Sequence, residues 1–511
     1  MASASDDPQA RVTTGGHLTL GERHGSDGPR CERTRGPSHP NDHEAAGELR
    51  TEEPVTSFKR EEDPRVTSEG SAVAIGIDAA VVANHRIVVR RPEPGRSGEV
   101  IDDFTAGPTL GGLDGLAKRL AKWPGAMAVA EPTSMTWLPL NVALCQAGVD
   151  LALVGNRHSA RLRSALAGKN KSDPIDAGVL SRAGEFFELR PARVPTADEL
   201  ALRRAVQRRG KVLVDANRCL RRVISLARWA FPDVWNACSG SRSTAIAVLT
   251  RWPRLDALAR ARSSSIIEVV AEHTRGVSDV ERRAEAIRDA ARRWVEFWTG
   301  HLDLEALGWE TAELLADLAT SEARVERAGE EARRRWECLY GDDRLLLSVP
   351  GMGPRTAPTV RAFFGNARHF ESAKQAQAYV GLNPSNWSSG QMSSPSRAIT
   401  KEGPAVLRLA FYQAANVART RDPQLAEFYR RLMVERGHCH TKANCAVARK
   451  LVARTWATLT SGSLYELRDV DGSPITTREA AALASICAVP DKVRSRSRAQ
   501  SAATHRARLT R

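Results

Sequence analysis

Long apolar runs are missing from this sequence, and their absence argues against a membrane-spanning protein. No stretch approaches the ~20 consecutive apolar residues that a helix needs to cross a bilayer. The first 30 residues also lack the hydrophobic segment of a signal peptide. We therefore expect a cytoplasmic protein with no membrane partner.

Cysteines are few and irregularly spaced, which argues against a disulfide framework. The chain of 511 residues contains eight of them, a pattern that predicts reduced thiols. The spacing of one group of soft metal ligands matches no zinc motif. That group consists of His438, Cys439, His440 and Cys445. Around the serine-rich loop at residues 385–390, no pattern of His and Asp residues indicates a hydrolase triad.

Apolar periodicity is almost absent from the two ends of the chain. Residues 1–70 are rich in Ser, Gly, Pro, Asp, Glu and Arg. Such a segment cannot bury enough apolar surface to offset its ordering entropy, so we expect a disordered N-terminal extension. Apolar residues become sparse again at residues 463–511, which we expect to form a basic and mostly disordered tail.

Length and charge bound the general class of the protein. At ~150 residues per domain, the length suggests three domains. The chain contains 75 Lys and Arg against 60 Asp and Glu, a formal net charge of +15. An excess of this size favours a polyanionic partner, and nucleic acid is the usual one.

Residues 71–195 have the pattern of an α/β domain. Short apolar runs predict five strands, at residues 72–78, 85–90, 100–104, 126–131 and 149–154. Helical spacing separates the last three of them, at residues 112–123 and 137–147. Three strands followed by alternating helices and strands predict a mixed sheet.

Four carboxylates stand at the ends of these elements. Asp78 and Glu131 each close an apolar strand, while Asp173 and Asp176 stand at a predicted helix start where Asp173 suits the cap. Strand ends of an α/β sheet meet at one edge, and positions three apart on a helix share a face. Four hard oxygen donors there would suit two Mg²⁺ ions acting on a phosphodiester. The alternative is that the acids are solvated residues or only complement the helix dipole.

Residues 196–340 have the pattern of long helices. Thr196 and Glu199 have the spacing of a capping box, which opens a helix that runs to about residue 230. Apolar residues then recur in heptads, as in a coiled coil, at Val206, Leu213, Leu220 and Ala227, with Leu202, Ala216 and Val223 in a second seam. A later helix at residues 311–340 could pair back antiparallel. We expect a helical, coiled-coil linker and dimerisation region whose arginine-rich face is either solvated or contacts phosphates.

Two motifs mark residues 341–462 as a further, mostly helical domain. The sequence Pro-Gly-Met-Gly at residues 350–353, between two helices, would offer free backbone N–H groups to a phosphate, as in a helix-hairpin-helix module. A plain helix–helix turn is the alternative. We assign nucleic-acid contacts to five residues: Gly351, Gly353, Arg355, Lys171 and Lys401. Downstream, Ala-Tyr-Val-Gly-Leu-Asn-Pro at residues 378–384 precedes the serine-rich loop, and Ile-Thr-Lys-Glu-Gly follows it at residues 399–403.

In this order, the motifs resemble the DEDD transposases of the IS110 family. Residues 171–177, Lys-Ser-Asp-Pro-Ile-Asp-Ala, are similar to the motif that ends the family's RuvC-like domain, which has an RNase H fold. The earlier acids of the family fall on Asp78 and Glu131. The turn at residues 350–353, the segments 378–384 and 399–403, and the Ser-Gly pair at residues 389–390 are similar to its C-terminal domain. The chain departs from the family at Pro132, where Ser is usual, at Ser172 for Thr and at Thr400 for Ser.

The resemblance implies a function that residue spacing alone does not indicate. It implies a recombinase guided by an RNA from the mobile element, which pairs with double-stranded donor and target DNA. The four acids would hold Mg²⁺, and Ser389 would attack the phosphate to give a phosphoserine link. Acids and serine would come from different protomers of a homodimer, and two dimers would join as a tetramer at synapsis.

Three alternatives remain at this point. Ser388 is adjacent to Ser389, and we favour Ser389 because it directly precedes Gly390, as the motif requires. A RuvC-like junction-resolving nuclease could use water in place of a serine. A catalytically inactive nucleic-acid-binding protein would keep the acids for structural reasons.

Overall fold

A five-stranded mixed sheet begins the part of the chain that the computed structural model describes. That part comprises residues 73–509 without 94–95, 169, 171, 193–194, 239–240, 274–278, 385–387, 390–391 and 394–397. The N-terminal extension and Lys171 therefore lie outside the described residues. The elements of the sheet domain are β1 (Ala74–Asp78), β2 (His85–Glu93), β3 (Arg96–Ala106), α1 (Leu110–Leu120), β4 (Met127–Ala130), α2 (Trp137–Gln146), β5 (Asp150–Leu153), α3 (Asn156–Ala167) and α4 (Asp173–Leu180).

The strand order is β3-β2-β1-β4-β5, with β4 and β5 parallel to β1, and β2 antiparallel to β1 and β3. Helices α1 and α2 share a core with Ile75 and Ile77 on one face of the sheet. Helices α3 and α4 pack on the other face, around Val129 and Ala152. The predicted mixed sheet is confirmed, and this domain followed by a mostly helical chain fits an RNase H-like fold.

Helix α3 is the element of the sheet domain that the apolar pattern did not predict. Its sequence, Asn-Arg-His-Ser-Ala-Arg-Leu-Arg-Ser-Ala-Leu-Ala, is rich in arginine, and only Ser159 and Leu162 are fully buried. A single buried Leu gives only a weak periodic signal, because a helical pattern needs apolar residues that recur every three or four positions. Its burial nevertheless contributes about 1.5–3 kcal/mol. The helix forms because Leu162 joins the core beneath α4.

Two long helices, α5 (Ala197–Ala230) and α11 (Leu304–Tyr340), form the middle region. The predicted capping box is present, with Thr196 and Glu199 bonded reciprocally. The helices run antiparallel, because Cys219 Sγ lies 3.5 Å from Ser321 Oγ while Gly329 lies beside Arg209. The seam residues of α5 are buried, apart from a half-buried Leu213. The supercoil of a coiled coil and the dimerisation role remain predictions.

Five shorter helices connect α5 to α11 and surround a core of their own, which we call the tip bundle. They are α6 (Pro232–Ala237), α7 (Arg242–Arg251), α8 (Leu255–Arg260), α9 (Ser263–Glu272) and α10 (Val280–Trp298). The core contains Ile266, Val270, Ile287 and other apolar residues, together with the C-terminal part of α5.

The C-terminal region shares its core with the opposite end of the two long helices. Leu202 and Trp336 pack in one cluster with Phe364, Phe411 and Leu451. The elements are α12 (Arg344–Ser348), α13 (Ala357–Phe364), α14 (Ala373–Val380), β6 (Ser388–Ser389), β7 (Met392–Ser393), α15 (Ala405–Ala418), α16 (Pro423–Val434), α17 (His440–Ser461), α18 (Thr477–Ile486) and α19 (Asp491–Leu509). The domain boundary expected near residue 340 therefore crosses a continuous core.

Residues 463–511 differ from the mostly disordered tail that we expected, because they contain α18 and α19. Thr476 and Glu479 form a capping box that opens α18, and Val489 is buried in the C-terminal core. Ser497 of α19 accepts a hydrogen bond from the backbone N–H of His440 at 2.9 Å. Across the described residues, every helix is too short or too polar to cross a bilayer.

Candidate active site

Helix α4 lies directly on strand β1, and Gly76 makes this contact possible. A Cβ at Gly76 would stand 1.9 Å from the carbonyl oxygen of Ala177 and 2.3 Å from the backbone nitrogen of Ser181. Side chains alternate along a strand, so Asp78 faces the same side of the sheet as Gly76. Only glycine allows an approach this close, because any side chain would displace the helix.

The direction of α4 places its two acids at the carboxyl end of β1. Ser181, after the helix, accepts a hydrogen bond from Arg90 Nε at 3.2 Å, and Arg90 pairs with Ala74 at the start of β1. The first turn of α4 therefore extends towards Asp78. We expected Asp173 to cap this helix, but Ser172, one residue earlier, occupies the N-cap. Asp173 is therefore the first helical residue. The Asp173 side chain consequently plays no part in capping.

Glu131 reaches the same edge through the parallel pairing of β1 with β4. Ile77 pairs with Ala130, the last residues in register before the two acids. Neighbouring strands lie about 4.8 Å apart, so Asp78 and Glu131 follow each strand side by side. The end of the sheet marked by Asp78, Glu131 and the first turn of α4 is called the acid edge below.

One face of α3 joins two of these acids. Ser159 Oγ donates a hydrogen bond to the Glu131 carboxylate, and Arg163 Nη1 donates to the Asp176 carboxylate at 2.9 Å. Ser159 and Arg163 are one helical turn apart, so both bonds come from the same face. The Asp176 side chain is only 13% exposed and its charge is balanced by Arg163. Neither residue was predicted, although the Ser-x-x-x-Arg spacing after β5 was a readable signal.

The donor set at the acid edge fits a hard divalent cation, since carboxylate oxygens are the ligands that Mg²⁺ prefers. Within the described residues, however, no group of three or more His, Cys, Asp or Glu side chains is arranged to hold a metal ion. Two of the acids are bonded to α3 instead, Glu131 to Ser159 and Asp176 to Arg163. A cation at Asp176 would therefore compete with Arg163.

The two motifs that flank the serine-rich loop pack against each other and form its base. The backbone N–H of Lys401 donates to Gly381 at 3.1 Å, and that of Thr400 donates to Asn383 at 2.9 Å. A Cβ at Gly403 would stand 1.7 Å from the carbonyl oxygen of Tyr379, which explains that glycine. Ser388 and Ser389 form β6 above this base, and Gly390 lies outside the described residues.

An ion pair connects the loop base to the acid edge within one chain. Arg157, near the start of α3, pairs with Glu402, which follows Lys401 in the loop base. Arg157 precedes Ser159 by two residues on the helix that holds Glu131. A second pair, Arg190 with Glu371, also joins the sheet domain to the C-terminal region. Helix α3 therefore contacts both components of the candidate site.

The Pro-Gly-Met-Gly turn differs from the phosphate cradle that we expected. The N–H of Met352 donates to Val349 and that of Gly353 to Thr356 Oγ1, each at 3.0 Å, so neither is free. Gly351 has a φ of +82°, and a Cβ there would stand 2.1 Å from the carbonyl oxygen of Ala414. This glycine is therefore required for packing on α15. The exposed Arg355 remains available to a phosphate.

Two family models match the chain in the order of these sites. Residues 75–232 match a DEDD transposase model of the IS110 type, and this segment contains all four acids. Residues 343–430 match the model described as Transposase IS116/IS110/IS902 family, which spans the turn and the serine loop. The two matched segments support an IS110-family transposase.

Relatives of this transposase include proteins of bacterial insertion elements and a gene-inverting protein. The insertion element IS110 uncharacterized 43.6 kDa protein of Streptomyces coelicolor is 27% identical over 347 residues, 66% of this chain and 83% of that protein. The IS116 44.8 kDa protein of Streptomyces clavuligerus is 26% identical over 327 residues, 62% and 78% of the two chains. A pilin gene-inverting protein of Moraxella lacunata is 30% identical over 125 residues, 24% of this chain and 38% of that protein.

The structure gives the positions of the four acids and of Lys401 in this transposase. Asp78 and Glu131 follow neighbouring parallel strands, and the first turn of α4, with Asp173 and Asp176, extends towards them, while their convergence on one metal site remains a prediction. Lys401 is exposed in the loop base with a φ of +57°. The specific roles of these residues in catalysis and nucleic-acid binding remain predictions.

Proposed function

We propose that this transposase cuts and rejoins DNA through a covalent link between Ser389 and a DNA phosphate. In this proposal Asp78, Glu131, Asp173 and Asp176 hold Mg²⁺ beside the scissile bond. The observation that supports it best is the double contact of α3, which binds Glu131 through Ser159 and the base of the serine loop through Arg157. This contact supports a site to which both motif blocks contribute.

The reaction is an exchange of one phosphodiester for another. A bond forms between Ser389 Oγ and phosphorus, and the bond from phosphorus to one ester oxygen breaks. The serine proton leaves Oγ, and the departing oxygen takes up a proton, so no oxidant or energy source is needed. When bound, Mg²⁺ would neutralise phosphate charge and lower the pKa of the attacking hydroxyl.

Arg163 and Ser159 orient the acids before nucleic acid arrives. Arg163 balances the charge of Asp176, which is largely shielded from water, and Ser159 fixes the rotamer of Glu131. Repulsion among four carboxylates at one edge would otherwise spread them apart. Both contacts thus hold these two carboxylates in place, and a bound cation would compete with Arg163 for Asp176.

We further propose double-stranded donor and target DNA and an element-encoded guide RNA as partners of a homodimer that forms a tetramer at synapsis. The net charge of +15 and the basic surface of α5 support a nucleic-acid partner. Coiled-coil pairing through α5 and α11, and nucleic-acid contacts of the Arg355, Lys171 and Lys401 side chains, belong to the same proposal.

A suicide DNA substrate tests the serine chemistry. We expect wild-type protein to form a covalent adduct that survives denaturation, with peptide mapping placing the DNA on Ser389. Ser389→Ala should abolish the adduct and Ser388→Ala should retain it. The reverse result would move the assignment to Ser388, and clean cleavage without any adduct would favour the water-using nuclease.

Mixing two inactive variants tests whether the acids and the serine act in different protomers. Asp173→Ala combined with Ser389→Ala should recover part of the activity if the site is shared between chains. No recovery in verified mixed dimers would favour a site within one chain, as the Arg157–Glu402 contact brings the two components together.

A further inference from the structure

The C-terminal end of α5 carries a groove that the proposed chemistry does not use. Arg221, Ile224, Ser225, Arg228 and Trp229 line this shallow depression, whose volume is about 440 Å³. We call it the aromatic groove. It borders the tip bundle, whereas the acid edge belongs to the sheet domain.

Aromatic rings form a firmly held platform beside the groove. Trp229 packs edge-on against Trp298 with ring centroids 6.3 Å apart, and Trp298 contacts Phe297 at 4.8 Å. The indole of Trp298 donates to the carbonyl of Ala230 at 2.7 Å, and that of Trp294 donates to Asp233 at 3.1 Å. Hydrogen bonds from the indoles of Trp294 and Trp298 fix these two rings, and Trp229 packs against the second of them.

Two of these rings face solvent instead of the core. Trp229 is 51% exposed and Phe297 is 61% exposed. Neither belongs to the core of the tip bundle. Of this aromatic cluster, Trp294 is partly buried and packs against that core. Clustered exposed aromatic residues are uncommon on a surface without a partner. Their exposure therefore indicates a binding function.

The charge beside the rings is positive and unbalanced. Arg221, Arg222 and Arg228 are exposed, and none of them forms an ion pair with an acid in the described part of the chain. One turn earlier on the same helix, by contrast, Arg218 forms an ion pair with Asp215 at 3.0 Å. A polyanion would complement the three free guanidinium groups.

The charge also distinguishes nucleic acid from a second copy of this chain. A symmetric dimer contact would place the groove against itself and oppose arginines to arginines, which costs several kcal/mol. Duplex DNA would satisfy the arginines but hides its base faces inside the stack. Unpaired bases satisfy both features, because they stack on aromatic rings while their phosphates meet arginine.

We propose that the aromatic groove binds an unpaired segment of nucleic acid, with a base stacked on Trp229 and phosphates held by Arg221 and Arg228. The proposal is independent of the Ser389 chemistry, since the groove lies on a different region. It assigns single-strand recognition to the junction of α5 and the tip bundle.

Binding of labelled oligonucleotides to the full-length protein tests the proposal. Fluorescence anisotropy would compare 12-nucleotide oligo-U and oligo-dT with a 12-base-pair duplex at fixed salt. Trp229→Ala should weaken single-strand binding by roughly 5- to 150-fold and change duplex binding by less than about twofold. Trp229→Phe keeps a stacking ring and should retain most of the affinity. Tighter binding of oligo-U than of oligo-dT would assign the groove to RNA, and the reverse would assign it to single-stranded DNA.

Two matched variants serve as controls. Trp309→Ala removes an indole outside the groove that is even more exposed than Trp229, at 68%, and Arg282→Ala removes a surface arginine already paired with Asp279. Both should bind like wild type, whereas Arg221→Ala and Arg228→Ala should each lower the salt slope of single-strand binding by about 0.7. Unchanged single-strand binding by folded Trp229→Ala would overturn the proposal. Equal losses on duplex and single strand would also overturn it, as would a change in oligomeric state without a change in binding.

Discussion

The acid edge and the aromatic groove are both charged, but only at the acid edge do side chains of the same chain hold the charged groups. Arg163 forms an ion pair with Asp176, and Ser159 donates a hydrogen bond to Glu131. In the groove, Arg221 and its neighbours have no acidic partner in the part of the chain that the structure describes. An ion pair within the chain stabilises the acid edge without a ligand, whereas surface arginines without acidic partners attract a polyanion. The two regions therefore suit different steps, chemistry and capture.

The two regions also differ in what holds them in place. The acid edge depends on strand register and on the backbone contact of Gly76 with α4. The groove depends on ring contacts between α5 and α10 that leave half of Trp229 in water. Changes at the edge should therefore affect activity and folding strongly, and changes in the groove should affect binding moderately.

The strongest expected effect is the loss of cleavage when an acid is removed. Replacing Asp78, Glu131, Asp173 or Asp176 by Ala should lower cleavage in Mg²⁺ by about 10³-fold or more, since metal stabilisation of the transition state is worth several kcal/mol. Nucleic-acid affinity should change little. Asp114→Ala removes an exposed carboxylate paired with Lys118 on α1 and serves as the control. Full cleavage by Asp173→Ala would contradict the assignment of a metal site.

Gly76→Ala should be the most damaging change to folding at the acid edge. The added Cβ would meet the backbone of α4 at 1.9 Å, so the helix must move, at a cost of about 2–4 kcal/mol. Hydrogen exchange should show loss of protection in β1 and α4. Gly115→Ala on α1 has open space around the new methyl group and should stabilise by about 0.5–1 kcal/mol. Equal stability of the two variants would show that α4 does not rest on Gly76.

Arg163→Ala removes the ion pair with Asp176 and tests whether this pair stabilises the acid edge in the absence of a ligand. Without its partner, the shielded Asp176 carboxylate should lower the free energy of unfolding by about 1–2 kcal/mol. Removing a competing cation should also strengthen Mn²⁺ binding several-fold. Thermal unfolding with and without Mn²⁺ should therefore show a larger metal-induced stabilisation than in wild type. Arg161→Ala, an exposed neighbour on α3, should behave like wild type; weaker Mn²⁺ binding by Arg163→Ala would mean that Arg163 only positions the acid.

The smallest expected effect concerns single phosphate contacts. Arg355→Ala, at the exposed turn, should lower the slope of log affinity against log salt for duplex DNA by about 0.9. Asp173→Ala should leave that slope unchanged, because the role that we propose for Asp173 is to hold a metal ion and not a phosphate. Titrations at several salt concentrations measure both slopes. An unchanged slope in Arg355→Ala would remove the turn from the DNA-binding surface.

Much of the sheet domain could be predicted because its information is local. Buried strands produce apolar runs, so β1, β4 and β5 were located within two residues. The positions of Asp78 at the end of β1 and of Glu131 after β4 followed directly. The capping box at Thr196 and the heptad spacing likewise located α5 and its buried seam. Helix α3 escaped because a helix with one buried Leu has little periodicity, and α19 because basic composition suggested disorder.

The sequence by itself determined which faces are apolar, where the acids stand and which motif blocks occur in order. Only the tertiary structure decided that Arg163 meets Asp176, that Gly351 is needed against Ala414, and that Trp229 meets Trp298 across the tip bundle. The physical reason is that periodicity records whether a side chain is buried, while its neighbour depends on how separate elements pack. Contacts between residues far apart in the chain leave no local pattern.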